Sequence, residues 1–177
     1  MKFRTEIAVT PWQHPIDYNH SIVSLGSCFA TNIAERLRKC KFRVVSSPTG
    51  ILFNPASIAT SVRDMAEGRV VQREELITLD DSYVSYRFHS AMVGATPEDA
   101  LKRMNKALEN GRRALQEADI LIVTLGTAWA YRLRSTGEVV ANCHKQPARE
   151  FRRELLTVSE IVESLEMILR HTSCRLV

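Results

Sequence analysis

The chain has 177 residues, of which 45% are hydrophobic and 25% are charged. These values are typical of one globular domain with a substantial core, and they argue against a disordered or fibrous protein. The net charge of +4 is small and the basic residues are dispersed, so we expect no nucleic-acid partner.

Our expectations about cellular location and cofactors rest on three kinds of segment: signal peptides, membrane helices and metal-binding cysteine motifs. Charged residues within positions 1–6 interrupt the apolar core that a signal peptide needs, and no stretch reaches the roughly 20 apolar residues of a membrane helix. The four cysteines form neither a CxxC pair nor a zinc-ligand spacing. We therefore expect a cytoplasmic location, no membrane partner, no metal and no other cofactor, while the oligomeric state stays open.

Strand-like and helix-like patterns alternate along the chain. Strands are predicted at residues 21–25 and 42–45, helices at 28–40 and from 55 to near 68, and short strand-like pieces within 76–88. There follow a helix from 96 to about 117, a buried central strand at 119–125, a hairpin with arms 129–134 and 138–141, and a helix that begins near 157–159. This order predicts an α/β domain with a mainly parallel sheet and an inserted β-hairpin.

The carboxyl end looks like the start of another strand. Residues 174–177 follow a helix and are apolar at their end, and the sequence stops there. We therefore expect residues 1–177 to be a single domain that is truncated at its carboxyl end.

Ser27 stands at the junction of the first strand and the first helix. Such a junction places a hydroxyl at the carboxyl edge of a sheet and at the positive end of a helix, where α/β proteins build their sites. A serine there can also be a simple helix N-cap, although Ala30 three residues on provides no capping box. Use as a nucleophile would require a base within about 3 Å and donors for an oxyanion.

Five ordered segments resemble one protein family. The pentapeptide Gly26-Ser27-Cys28-Phe29-Ala30 resembles the motif that names the GSCFA family, which is similar to the SGNH (GDSL-type) esterases and lipases. The other segments are Thr49-Gly50-Ile51-Leu52-Phe53-Asn54-Pro55, His89-Ser90, Thr124-Leu125-Gly126-Thr127-Ala128-Trp129 and Asn142-Cys143-His144-Lys145. The resemblance implies a three-layer sandwich with a flavodoxin-like (SGNH-hydrolase-like) sheet. It also implies ester hydrolysis or acyl transfer by a serine nucleophile, with a small-molecule or O-acylated carbohydrate ester as substrate.

The same resemblance suggests roles for individual residues. Ser27 would be the nucleophile, and the backbone amides of Ser27 and Gly50 would donate to the oxyanion. Without the resemblance, Gly50 is better explained as a turn residue with positive φ. The wider group has Gly-x-Asn-Asp where this chain has Gly126-Thr127-Ala128-Trp129, so Thr127, Asn54 or Asn142 would have to replace the missing donor.

The sequence leaves open which residue is the general base, and Cys28 is an alternative nucleophile to Ser27. No Asp-x-x-His pair occurs, and the resemblance implies a late histidine beyond Val177. Within the chain, His144 is the candidate catalytic histidine, and His89 is a family feature without an assigned role. Cys28 could serve as a thiol nucleophile at a helix N-terminus, but we expect Ser27 to face outward and Cys28 to pack inward. The alternative function is a non-catalytic module that binds an acyl group or a sugar.

Overall fold

The structure, a computed structural model, describes residues 5, 7–8 and 13–177. The expectation about residues 1–6 therefore falls largely outside the described residues. Four α-helices are described: α1 Cys28–Lys39, α2 Pro55–Ala66, α3 Pro97–Glu117 and α4 Val158–Arg170. The strands are β1 Ser21–Gly26, β2 Arg43–Ser46, β3 Ile77–Leu79, β4 Ser82–Val84, β5 Ile120–Thr124, β6 Trp129–Leu133, β7 Val139–Val140, β8 Phe151–Leu155 and β9 Arg175–Leu176.

Polar side chains fix where the long helices begin. Ser27, Asn54, Thr96 and Thr157 each precede a helix and accept a hydrogen bond from a backbone amide of its first turn. These caps satisfy amides that have no partner inside the helix. Proline follows the cap in α2 and α3, where its missing N–H costs nothing. The predicted helix starts are confirmed.

The principal sheet is parallel and has the order β2-β1-β5-β9. Val23 of β1 lies opposite Val45 of β2 on one side and Leu121 of β5 on the other. The predicted α/β class with a mainly parallel sheet is confirmed, and β5 lies inside the sheet as its apolar run predicted.

Helices cover both faces of this sheet. On one face Ser24 donates from its hydroxyl to the carbonyl of Ala30 in α1, at 3.2 Å. On the other face, the alternate residues Val23 and Leu25 belong to the buried core together with residues of α2, α3 and α4. The arrangement is compatible with a three-layer sandwich.

A second sheet stands beside the carboxyl edge of the first. Its order is β7-β6-β8, and it is antiparallel throughout. The β6–β7 hairpin around Ser135-Thr136-Gly137 is confirmed, whereas β8 was not predicted. Strands β3 and β4 form a further two-stranded antiparallel pair. Within the described residues, no helix is long and apolar enough to cross a membrane.

Candidate functional site at the carboxyl edge of the parallel sheet

Ser27 lies between the ends of β1 and β5, at the N-terminus of α1. Its Oγ accepts a hydrogen bond from the amide of Phe29 at 3.3 Å and lies 3.1 Å from Oγ1 of Thr124. Its own amide donates to the carbonyl oxygen of Thr124 at 3.1 Å. Only 8% of Ser27 is exposed. The hydroxyl therefore sits at the predicted sheet edge and also serves as the helix cap.

Gly26 makes this close contact between the two strand ends possible. Its φ is +128°, and a Cβ at this position would lie 2.1 Å from the carbonyl oxygen of Thr124. Any other residue would push β1 and β5 apart and would be strained in this backbone conformation. The glycine before Ser27 is thus a requirement of the turn.

Three loops meet beside Ser27. The loop after β2 is tied to β1, because Leu52 donates from its amide to the carbonyl of Gly26 at 2.9 Å. It is also tied to the loop after β5, since the carbonyl of Phe53 accepts from the amides of Gly126 and Thr127 at 2.9 and 3.1 Å. A Cβ on Gly126 would lie 3.1 Å from the Cβ of Ser27. The structure thus brings Ser27, Gly126, Thr127 and the segment before Asn54 to one place.

The two amides expected to bind an oxyanion are engaged within the protein. The amide of Gly50 donates to the carbonyl of Ser47 at 2.8 Å, and that of Ser27 donates to Thr124. Gly50 has φ +91°, and a Cβ there would lie 2.2 Å from the Cβ of His89. Its turn geometry and its packing on His89 account for this glycine. The amide of Cys28, in the first turn of α1, has no partner inside the helix.

A cavity of about 670 Å³ is lined by Phe53 and Asn54 of the loop after β2 and by Thr127 of the loop after β5, and Ser27 itself does not line it. Asn54, Thr127 and Asn142 line it, together with the aromatic rings of Trp129 and Tyr131. The oxygen of each of the three polar side chains accepts a backbone amide, at 2.8 to 3.0 Å, from Ser57, Trp129 and His144 respectively. Because each oxygen is occupied in this way, the two amide NH₂ groups and the threonine O–H remain available as donors.

His144 is buried on the loop after β7, with only 3% of its surface exposed. Its Nε2 lies 2.9 Å from the carbonyl of Ser85. Burial lowers the pKa of this imidazole, partly offset by backbone hydrogen bonds. The hydrogen bonds of Ser27 go to Thr124 and Phe29, so Ser27 and His144 are not hydrogen-bonded to each other.

His89 packs against Gly50 of the loop after β2. Its Nδ1 accepts from the amide of Ala91 at 3.2 Å and caps a short 3-10 turn. Together with its contact to Gly50, this gives His89 a structural role.

The expected orientations of Ser27 and Cys28 are both wrong, since Ser27 does not face outward and Cys28 does not pack inward. Cys28 is exposed, whereas Ser27 is nearly buried. As cap residue, Ser27 turns its side chain back over the helix end, and Cys28 in the first turn of α1 points toward solvent.

The sequence pattern of the whole domain agrees with one family. The chain matches the GSCFA family over residues 21–174. The chain belongs to this family. No match is found among curated proteins or among solved structures.

The naming motif of the GSCFA family thus covers the end of β1, the cap Ser27 and the first turn of α1. Within the described residues, no group of three or more His, Cys, Asp or Glu side chains could hold a metal ion. The chemistry available at this edge is that of a hydroxyl, a helix N-terminus and a lined cavity.

Sequence reasoning missed two contributors to the site. Thr124 contacts the Ser27 hydroxyl, and a signal for it existed, because a polar residue that ends a central strand must lie beside the end of its parallel neighbour. Arg153 on β8 lies over the ring of Trp129, 4.1 Å from its centroid. The charged sequence of β8 gave no comparable signal.

Proposed function

We propose that this protein is an ester hydrolase or acyl transferase of the SGNH-like type, with Ser27 as its nucleophile. The observation that supports this most is the position of the Ser27 hydroxyl. It lies at the N-terminus of α1, against Gly126, where the three loops that follow β1, β2 and β5 meet. In parallel α/β sheets this edge is where substrates bind.

The proposed reaction has two steps. Ser27 Oγ attacks the acyl carbonyl carbon, its proton passes to a base, and the resulting oxyanion collapses to release the alcohol, which takes up the proton. Water or a second alcohol then attacks the carbonyl carbon of the acyl-enzyme and gives its proton to the base. The bond to Ser27 Oγ breaks, Oγ takes up that proton, and the acid or the new ester is released. In this proposal the amide of Cys28 at the positive end of α1, with a donor from Asn54 or Thr127, would stabilise the oxyanion.

Thr124 would orient the nucleophile. Its hydroxyl is 3.1 Å from Ser27 Oγ, so it can hold the serine hydroxyl in one rotamer before attack. The proposal also requires a general base that reaches Ser27 Oγ, a position that His144 does not occupy while its Nε2 is bound to Ser85.

The 670 Å³ cavity lined by Asn54 and Thr127, which neighbour Ser27 in the loops at this edge, suggests the substrate class. Trp129 and Tyr131 line the cavity and are each 43% exposed, with Arg153 over one face of the Trp129 ring, while Asn54, Asn142 and Gln146 provide amide groups. Flat apolar faces combined with amides match the alternating C–H and hydroxyl surface of a sugar ring. We therefore propose an O-acylated carbohydrate as substrate.

The test is covalent labelling of the protein purified from its native host with a fluorophosphonate probe, followed by mass mapping of the modified residue. We expect modification at Ser27, its loss in Ser27→Ala, and its retention in the neighbouring variant Cys28→Ser. Modification elsewhere, or labelling that persists in Ser27→Ala, would exclude Ser27 as the nucleophile.

A non-catalytic binding module is the second candidate. It is favoured by the fully occupied hydrogen bonds of Ser27, whose amide and hydroxyl are both engaged within the protein. In that case an acetylated sugar would bind equally well to the wild type and to Ser27→Ala, and neither would be labelled or release acetate. The cytoplasmic location stays a prediction in both cases.

A further inference from the structure

A second cavity, of about 570 Å³, lies apart from Ser27. Residues of α2, α4, β3 and the β6–β7 hairpin line it, and it shares only Val140 with the 670 Å³ cavity. We call it the arginine cavity, because four arginines line it: Arg63, Arg69, Arg87 and Arg132.

Three of these arginines surround one buried carboxylate. Arg87 donates from Nη1 to Asp64 at 3.2 Å, while Nε of Arg69 and Nη2 of Arg63 both lie 3.9 Å from Oδ1 of Asp64. Burial raises the pKa of Asp64, and the three arginines oppose that shift. Within the part of the chain that the structure describes, the carboxylate of Asp64 accepts a hydrogen bond from Arg87 only, so it does not provide a hydrogen-bond acceptor for Arg63 or Arg69.

Three glutamates line the cavity: Glu75 and Glu138 are engaged by its arginines, and Glu74 is exposed. Glu75 binds Nη2 of Arg69 at 2.7 Å, and Glu138, whose side chain is largely exposed, binds Arg87 at 3.2 Å. Arg132 is occupied by Glu154 and Glu160. Arg63 and part of Arg69 therefore remain without a full set of acceptors.

The clearest unpaired donor in the arginine cavity is one nitrogen of Arg69. Nη1 of Arg69 is buried and has no hydrogen-bond partner among the described residues. An unsatisfied donor of this kind, on a charged group, is costly and uncommon in native proteins. At 3.9 Å, Arg63 likewise lies beyond hydrogen-bond distance of Asp64. One guanidinium nitrogen of Arg69 thus lacks an acceptor, and Arg63 makes no hydrogen bond to Asp64.

We propose that the arginine cavity binds an oxyanion, a carboxylate or a phosphate carried by a small organic molecule, through Arg63 and Arg69. Guanidinium groups bind both oxyanions through paired N–H donors, which would supply the missing acceptors. Ala59, Ile77 and Met167 line the same cavity and offer an apolar surface for the body of the ligand. This site uses neither Ser27 nor the proposed ester chemistry.

The experiment is a titration of the ¹⁵N-labelled protein with inorganic phosphate and, separately, with acetate, at constant ionic strength. The signals followed are the side-chain Nε–Hε resonances of the arginines. We expect saturable shifts in a small set of resonances, and the tighter of the two anions identifies the head group. Shifts that only increase linearly, as with chloride, would overturn the proposal.

Variants separate a built site from general charge attraction. Arg63→Gln should weaken binding about tenfold or more, since one charge-assisted pair is lost. Arg113→Gln removes the same charge from the exposed face of α3, where Arg113 pairs with Glu109, and should leave affinity unchanged. An equal effect of both variants would refute the site.

Two further variants separate donor geometry from charge, and separate this proposal from the proposed ester chemistry. Arg63→Lys keeps the charge and should keep the fold, yet it should lose most of the affinity, because an ammonium group lacks the forked donors. Ser27→Ala should bind the anion like the wild type, so the two proposals can fail independently.

Discussion

Ser27 and Cys28 are neighbours in the chain and have opposite exposure. The cap position turns the serine hydroxyl onto the amide of Phe29 and toward Thr124. The next residue begins the helix and leaves its thiol in solvent. The side chain that we propose as the nucleophile is therefore the one held in fixed geometry by hydrogen bonds, whereas the thiol is exposed.

Single substitutions at these two positions should have very different kinetic effects. Ser27→Ala should lower kcat/KM for an acetylated sugar by a factor of thousands, about the scale for loss of a catalytic nucleophile. Cys28→Ser should stay within about tenfold, and it should leave the free energy of unfolding unchanged because Cys28 is exposed. Loss of activity in Cys28→Ser with activity kept in Ser27→Ala would identify a thiol enzyme.

His144 should make stability depend on pH. Burial lowers its pKa below the ordinary value of 6.5, so the folded protein keeps the imidazole neutral, with Nε2 against Ser85. The unfolded chain takes up a proton once the pH falls below about 6.5, and the folded chain does so only at lower pH. The free energy of unfolding should therefore decrease as pH falls from 6.5 toward the folded-state pKa.

Urea unfolding at pH values of about 7.5 and about 5.5 tests this linkage. The midpoint of the wild type should fall more between the two conditions than that of His144→Gln, which has no group to protonate. The same fall in both proteins would show that other groups carry the pH dependence.

Packing of α2 against α3 depends on a small residue in the middle of a helix. A Cβ on Gly111 of α3 would lie 2.0 Å from Sδ of Met65 on α2 and 3.3 Å from Cβ of Pro48. Met65 is fully buried, so it has little room to move. The helix accepts a glycine here because it lets the two elements approach closely.

Gly111→Ala should therefore destabilise the protein by about 1–3 kcal/mol through overpacking. Helix propensity alone predicts the opposite sign, a gain of about 1 kcal/mol. The exposed neighbour Asn110 offers the control, since Asn110→Ala should change stability by no more than about 0.5 kcal/mol. Thermal and urea unfolding of both variants decide between packing and propensity.

Strand β8 was not predicted, because its local sequence has no strand-like pattern. Its sequence, Phe151–Leu155, has three charged residues in the centre and no apolar alternation of useful length. It forms because its backbone pairs with β6, and because Glu154 binds Arg132 while Arg153 covers Trp129. Such contacts across a sheet depend on the partner strand and leave little trace in the local sequence.

At the scale of the whole molecule, the 670 Å³ cavity joins two sheets. The loops after β2 and β5 of the parallel sheet provide Asn54 and Thr127. The antiparallel sheet provides the rings of Trp129 and Tyr131 and the guanidinium group of Arg153. Ligand binding should therefore depend on residues far apart in the chain.

Trp129→Ala should weaken the binding of a per-O-acetylated methyl glucoside about tenfold, since a stacking surface is lost. Tyr18→Ala is the matched control, because Tyr18 is also an exposed aromatic residue but stacks on Phe42, which precedes β2 at the opposite edge of the sheet. Saturation-transfer NMR with both variants measures the difference. Equal binding by the wild type and both variants would show that the sugar does not bind in this cavity.

The sequence alone determined the helices, their caps, the parallel sheet, the hairpin and the place of Ser27. These features depend on local periodicity, on cap residues such as Thr96 and on a strand-to-helix turn at Gly26, all of which act over a few neighbouring residues. The ordered family segments added the three loops that meet at this edge, because parallel strands end at the same side of a sheet.

Only the tertiary structure decided which groups the site residues contact and how their side chains are oriented. It tied the amides of Ser27 and Gly50 to Thr124 and Ser47, turned Cys28 outward and held His144 on Ser85 instead of on Ser27. It also assembled the arginine cavity from α2, α4 and the hairpin. These outcomes depend on which backbone carbonyl or charged group arrives from a distant segment, and hydrogen bonds and ion pairs of that kind are fixed by packing and not by local sequence.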